Sequence, residues 1–305
     1  MFEIIFLGTS ASAPSVRRSL PAMVVKHDEY RFLVDCGEGT QRQILQSGIG
    51  FKRLNKILIT HGHLDHILGL AGLLSTFLRW ETIEELEIYG GKSALDRIHD
   101  LIYGVVLRNV RPPMPIHFKH VQPGVIFKGG DLTITAFSVK HRNTDSYGYI
   151  FEEDGKRPFL VDKADSLNVP SGPLRGQLVH GKDIVLEDGR TIKPDMVLGE
   201  YKQGTKLVVT GDLGDTHGLE EVCANADGLV IEATYLKSEG DMAKRFAHLT
   251  AYQSAMLAKT AKVKRLFLTH VSRRYREKDI LEEAKSVFED TVVARDFDVY
   301  RIKNE

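Results

Sequence analysis

Apolar residues in this chain gather into short runs rich in β-branched and aromatic side chains. Glu3–Leu7, Met23–Lys26, Arg31–Val34, Ile57–Thr60 and Leu86–Tyr89 read as strands, each a few residues long and flanked by polar or glycine-containing stretches. Between several of them the spacing lengthens to that of a helix, over Thr40–Ser47, His66–Arg79 and Ser93–Tyr103. The second half repeats the mixture. Strands are expected at Leu132–Val139, Gly148–Glu152, Leu207–Val209, Gly228–Ile231 and Leu266–Thr269, with helices at Thr250–Ala261 and Lys278–Phe288. Sheet and helix interleaved in this way predict an α/β or α+β layered fold, carried by a single domain over residues 1–305.

From Asp165 to Gln203 that order breaks. Pro170, Gly172, Pro173, Gly181, Gly189 and Pro194 punctuate the stretch, and its apolar residues keep no sustained period. An inserted, flexible arm over 165–203 is the expectation. Its tip, Pro170 to Lys182, carries Arg175, His180 and Lys182 and no acid, although a plain solvated insertion has the same composition.

Charge narrows the partners. Lys plus Arg and Asp plus Glu number 41 each, so no global basic field draws nucleic acid, and any such partner needs a local patch. The basic residues scattered between Lys259 and Lys278 offer one. Cys36 and Cys223 lie far apart without metal-ligand spacing, which reads as reduced thiols in the cytoplasm. Met1–Gly8 lacks the basic and cleavage features of a signal peptide, and no run of about eighteen apolar residues calls for a membrane span.

Candidate chemistry concentrates where Lys56-Ile57-Leu58-Ile59-Thr60 runs straight into His61-Gly62-His63-Leu64-Asp65-His66. Three imidazoles and a carboxylate within six positions are a metal site in outline. Offsets of two and three put these side chains on different faces of a helix, whereas a loop leaving a strand can turn them to one point. Imidazole with carboxylate and no thiolate suits zinc, with manganese or iron as substitutes. A dinuclear site needs more ligands. Strand ends supply candidates at His141, Asp212 and His270, each weak when taken alone, and Leu266–His270 echoes Ile57–His61.

Taken together, His61, His63, Asp65, His66, His141, Asp212 and His270 resemble, in order and approximate spacing, the metallo-β-lactamase superfamily of dinuclear hydrolases. Within it the chain is similar to the ribonuclease Z family, endonucleases that remove the 3′ trailer from precursor tRNA. The likeness runs nearly end to end, through Phe6-Leu7-Gly8-Thr9, Asp35-Cys36-Gly37-Glu38-Gly39-Thr40, Ala247-His248-Leu249-Thr250 and His270-Val271-Ser272-Arg273-Arg274-Tyr275.

That resemblance implies an αβ/βα sandwich with a protruding exosite arm and two Zn2+ per subunit, Mn2+ or another divalent ion substituting. His61, His63 and His141 would hold the first ion, Asp65, His66 and His270 the second, and Asp212 would bridge them. The ions would activate a shared water to hydroxide, oriented by Asp65. His248, partnered by Glu232, would protonate the leaving ribose 3′-oxygen. Gly172 and Pro173 match the arm's motif, with Arg175 and Lys182 gripping the tRNA body, and Ser272 and Arg274 would reach phosphate. Arg17 and Arg18 fall in the early recognition loop, where the family commonly reads arginine-asparagine and this chain reads Arg17-Arg18-Ser19; Ile231 likewise replaces a common histidine. The family also implies a homodimer whose arms serve each other's sites. A phosphodiesterase for small or cyclic diesters on the same metals is the alternative activity, and an RNA-binding protein without catalysis the alternative class.

Overall fold

The structure is a computed structural model and describes residues 1–80, 83–108, 110–142 and 144–304. Its first half runs β1 (Phe2–Gly8), β2 (Ala22–His27), β3 (Tyr30–Val34), α1 (Thr40–Ser47), β4 (Lys56–Leu58), α2 (Leu64–Ile67), α3 (Gly69–Trp80), β5 (Leu86–Gly90) and α4 (Lys92–His99). Four strands follow: β6 (Ile116–His120), β7 (Gly124–Gly129), β8 (Leu132–Val139) and β9 (Ser146–Glu153). Next come α5 (Val161–Ser166), α6 (Pro173–Val179), the short β10 (Ile184–Val185) and β11 (Thr191–Ile192), and α7 (Pro194–Val197). The chain finishes with β12 (Lys206–Val209), α8 (Glu220–Cys223), β13 (Gly228–Glu232), α9 (Gly240–Phe246), α10 (Ala251–Thr260), β14 (Leu266–Thr269), α11 (Glu277–Lys285), β15 (Thr291–Val293) and β16 (Val299–Ile302). Among the described residues no helix is long and apolar enough to cross a membrane.

Residues 1–152 and 205–305 form one compact unit and residues 153–204 another. The larger unit is built on two seven-stranded sheets, ordered β16-β1-β2-β3-β4-β5-β6 and β15-β14-β13-β12-β9-β8-β7. Each is mixed. β3 to β6 run parallel and β16 to β3 antiparallel in the first; β12 to β15 run parallel in the second.

Strand alternation decides which side chains fill which layer. Phe2, Ile4 and Phe6 of β1 turn inward and meet Tyr149, Phe151 and Phe267 of the other sheet, while Ile5 and Leu7 turn outward beneath Ile44, Leu73 and Phe77. Rings make the central layer rigid: Phe151 stands edge-on to Phe2 at 6.1 Å and to Phe32 at 5.8 Å, each such pair adding about 0.5–1.5 kcal/mol beyond its burial. On the far face of the second sheet, Val208, Leu229 and Leu268 pack under Ala255, Ala258 and Ile280 from α10 and α11. Both outer faces therefore carry helices.

Where the sequence pattern implies one helix from His66 to Arg79, there are two. The chain kinks at Gly69 because that residue lies against the loop after β3. Its N–H donates to the Cys36 carbonyl at 2.9 Å, and a Cβ there would sit 1.9 Å from the Gly37 carbonyl oxygen. The helix expected over Ser93–Tyr103 continues instead as wider π-type turns over Asp100–Leu107. Strands β6, β7, β15 and β16 carry no clear pattern, being short or set with exposed polar residues.

The smaller unit has a core of its own. Ala164, Val169, Leu178, Ile184, Ile192 and Val197 are buried together, drawn from three short helices, the loop between two of them and a hairpin of two-residue strands, elements too brief to display a period. Lys156 and Lys202 pair antiparallel at its entry and exit.

Candidate metal centre

Both sheets deliver their chemistry at the carboxyl ends of strands, parallel ones except at β8. After Leu58 the chain leaves β4, and Tyr149 on the opposite sheet fixes the exit: its buried hydroxyl donates to the Ile59 carbonyl at 2.6 Å, while Tyr147 N–H donates to the Thr60 carbonyl at 2.9 Å. His61 and His63 follow in extended loop, and His63 caps α2, which carries Asp65 and His66. His141 follows β8, Asp212 follows β12, and His270 follows β14.

These seven residues converge as two groups. In the first, His63 Nδ1 lies 2.9 Å from His61 Nε2 and 3.2 Å from His141 Nε2. In the second, Asp65 Oδ2 lies 3.8 Å from His66 Nε2 and 3.7 Å from His270 Nε2. Asp212 Oδ2 stands between them, 3.9 Å from His61 Nε2, 3.4 Å from His66 Nε2 and 3.2 Å from His270 Nε2.

Each ring is turned by a partner on its far side. Thr60 Oγ1 gives its proton to Asp35 at 2.8 Å and so accepts from His61 Nδ1 at 3.1 Å. Asp35 Oδ2 also accepts from His66 Nδ1 at 2.8 Å, and the Ala247 carbonyl accepts from His141 Nδ1 at 2.8 Å. Thr234 Oγ1, donating to Glu232, accepts from His270 Nδ1 at 2.9 Å. With Nδ1 protonated, Nε2 of these four rings points its lone pair into the centre.

The donor set fits divalent cations. Nε2 of His66 and of His270 is buried with no hydrogen-bond partner, an arrangement that costs free energy unless a cation completes it. Burial, reinforced by neighbouring imidazole charge, lowers His61 well below its ordinary pKa and His63 to about 4. Burial lowers His141 too. All three imidazoles are thus neutral at neutral pH, the state in which a ring nitrogen can bind a cation. At His66 burial acts in the same direction, but the Asp212 and Asp35 carboxylates outweigh it and hold a proton well above the usual range. A cation at that nitrogen must displace the proton, so uptake releases acid. For Asp65 and Asp212 burial is likewise outweighed, by His270 and His66, and both stay ionised far into acid.

A groove of about 450 Å³ opens beside the centre, lined by Ser12, Tyr235, His248, Ser272 and Arg274 among others. His248 Nδ1 meets Glu232 Oε1 at 3.0 Å. Burial opposes charge on this imidazole, yet Glu232, aided by Asp212, raises it to about 9. Glu232 also accepts the N–H groups of Leu213 and Leu249. Arg274 is ion-paired with Glu239 at 3.0 Å.

Other sequence candidates are placed differently. Arg18 is half-buried and occupied, donating to Thr9, to the Ala294 carbonyl and to Glu277, whereas Arg17 is exposed. In the smaller unit Gly172 takes φ 114° ahead of α6, with Pro173 as the first helical residue. Arg175 pairs with Asp165 and bonds the Val169 carbonyl; Lys182 is exposed. Between Lys259 and Lys278 most of the basic groups are matched by acids: Lys264 with Asp227, Arg265 with Asp290, Arg276 with Asp279 and Lys278 with Glu282. Two of these partners are local, at i+3 and i+4, and two come from elsewhere in the chain, so the patch looks stronger in sequence than it is.

Several members of the centre carry no spacing signal: Thr60, Thr234, the Ala247 carbonyl and above all Asp35. A carboxylate at the end of β3, in the Asp35-Cys36-Gly37 motif, was the available clue. Asp35, Arg142, Ala247 and His270 also adopt left-handed backbone, with φ of 57°, 50°, 55° and 52°. Such conformations cost about 1–3 kcal/mol each and gather at functional sites.

Residues 2–203 match the family model described as anti-Pycsar protein Apyc1. A ribonuclease Z of Bradyrhizobium diazoefficiens is 47% identical over 298 residues, covering 98% of this chain and 99% of that protein. The chain belongs to the ribonuclease Z family. The structure of human tRNase Z, short form, agrees with a TM-score of 0.70 at 26% identity, over 98% of this chain and 99% of that one. The metallo-β-lactamase fold protein YhfI from Bacillus subtilis also reaches 0.70, at 18% identity and 98% coverage of both chains, which places the two helix-flanked sheets in that fold.

Asp35→Asn keeps the side chain's shape but removes the charge that turns His66. Loss of such an outer partner is expected to weaken metal retention about 10–100-fold. Competition with a graded chelator measures it, and wild-type retention would exclude the orienting role.

Proposed function

We propose that this enzyme removes the 3′ trailer from precursor tRNA, leaving a 3′-hydroxyl on the tRNA and a 5′-phosphate on the trailer. The observation that carries the reading is the pair of ligand groups joined through one oxygen of Asp212. His61, His63 and His141 would hold one Zn2+, Asp65, His66 and His270 a second, with Mn2+ or another divalent ion able to substitute. Bound there, two dications supply an acidified water and positive charge against a phosphodiester.

The chain's own groups do the rest. Asp65, partly exposed at the groove side and anchored by Ser12 N–H at 3.1 Å, orients the attacking water. His248 gives its proton to the departing 3′-oxygen, and Glu232 keeps that proton available. Ser272 and Arg274 bind phosphate, and Arg17 the RNA end. In the smaller unit Gly172, Pro173 and Lys182 grip the folded body of tRNA, with Arg175 holding their loop in shape. The working form is a cytoplasmic homodimer in which each inserted arm serves the other subunit's site.

Incubating a precursor transcript with and without chelator, then mapping the cut and its end groups, tests the reading. Cleavage next to the discriminator nucleotide, lost with chelator and restored by Zn2+ or Mn2+, is the expected result; no cleavage by the metal-loaded enzyme would refute it.

The arm is separately testable. Because its core includes Ala164, a deletion from Asp165 would leave half a core exposed, so residues 155–203 should be removed together and replaced by a short glycine linker. Precursor tRNA cleavage is expected to fall by about 100-fold or more, as lost positioning does, while a small chromogenic diester is still hydrolysed. Undiminished tRNA cleavage would exclude an exosite.

A further inference from the structure

We propose that Arg142 binds a backbone phosphate of the substrate beside the scissile bond, making it a substrate-binding residue of the groove. The inference rests on the reading that the substrate is RNA.

Arg142 directly follows the ligand His141 and lines the same groove as His248, Tyr235, Ser272 and Arg273. Arg274, in the same groove, already pairs with Glu239. Arg142 has no carboxylate partner among the described residues. Its Nε–H donates to the Phe246 carbonyl at 3.3 Å, which anchors the guanidinium and leaves its other four N–H donors for an acceptor. A fork of donors beside a site built for divalent cations is matched by phosphate, which can accept bidentately and offset the charge of both.

The backbone supports the same assignment. Arg142 sits at φ 50°, where glycine is at ease and a residue with a Cβ is disfavoured. Stability alone would favour glycine here. An arginine nevertheless stands here, and its side chain is exposed rather than packed in the core. Its neighbour His141 is tied to the same segment, through the Ala247 carbonyl, so the 141–142 corner and the 246–248 corner form one wall of the groove.

The test compares wild type, Arg142→Gly and Arg142→Lys on a precursor transcript across a salt series, with melting temperature measured alongside. For Arg142→Gly, kcat/KM is expected to fall by about tenfold or more. The slope of log kcat/KM against log salt should become shallower by about 0.7–0.9, the signature of one lost phosphate contact. The melting temperature should hold or rise, since glycine suits the backbone. Arg142→Lys should keep the wild-type slope with part of the rate, and it decides the matter should the glycine variant prove unstable. A wild-type slope in Arg142→Gly, or a lysine variant whose slope is as shallow as the glycine variant's, overturns the proposal. If wild type cleaves the transcript and these outcomes occur, only Arg142 is misassigned; if wild type leaves the transcript intact, the RNA reading and this inference fall together.

Discussion

Asp65→Ala is expected to reduce cleavage of precursor tRNA by on the order of 10³-fold or more while leaving tRNA binding nearly intact. That fold-change corresponds to about 4 kcal/mol of transition-state stabilisation. The expectation follows from where the carboxylate sits. Asp65 is partly exposed and accepts from the N–H of Ser12, a residue that lines the groove, whereas Asp212 is buried between the ligand groups. Its removal leaves His61, His63 and His141 untouched, so the fold and the first ligand group persist. What disappears is the group proposed to hold the attacking water in line, together with one candidate ligand of the second group. Single-turnover cleavage against titrated binding separates the two effects. A variant that cuts at the wild-type rate would remove Asp65 from the chemistry altogether.

His248→Gln should cost about 10²–10⁴-fold in kcat, the usual worth of a positioned general acid, with little change in KM. Here the pH profile carries more information than the rate. Glu232 favours the charged imidazole, so the acid form persists through neutrality and the rate should decline only as alkali removes that proton. In Glu232→Gln the imidazole loses its carboxylate partner, and the alkaline limb should move to lower pH. A merely structural Glu232 would lower the rate without moving the limb. A substrate whose leaving group needs no proton, such as a nitrophenyl diester, should be nearly indifferent to His248→Gln; equal loss on both substrates would argue against a proton donor.

The sequence exposed the candidate ligands far better than the residues that turn them, and the reason is geometric. His61, His63, Asp65 and His66 are adjacent in the chain, and His141, Asp212 and His270 each stand at the end of an apolar run, so one dimension suffices to find them. Asp35 and Thr234 act across 31 and 36 residues by hydrogen bonds that no periodicity encodes. Arg142 was hidden for another reason: its backbone angle and its lack of an acidic partner among the described residues exist only in three dimensions. The layered fold was legible because β1 alternates cleanly between two hydrophobic layers, Phe2, Ile4 and Phe6 on one side and Ile5 and Leu7 on the other. Edge strands such as β6 and β7 face solvent over much of their length, and without a buried face the alternation that marks a strand disappears. The inserted unit escaped period analysis because its buried residues come from elements of two to seven residues.

The ligands are spread from His61 to His270, and this order has a consequence for the newborn protein. As the chain emerges during synthesis, the first ligand group is complete once His141 is out, but the shared carboxylate arrives only with Asp212 and the last imidazole only with His270. β4 and β14, which aim the two halves, belong to different sheets, and β14 finds its place only between β13 and β15. The chemistry proposed here, which needs both groups, therefore depends on residues from both sheets and from both halves of the chain.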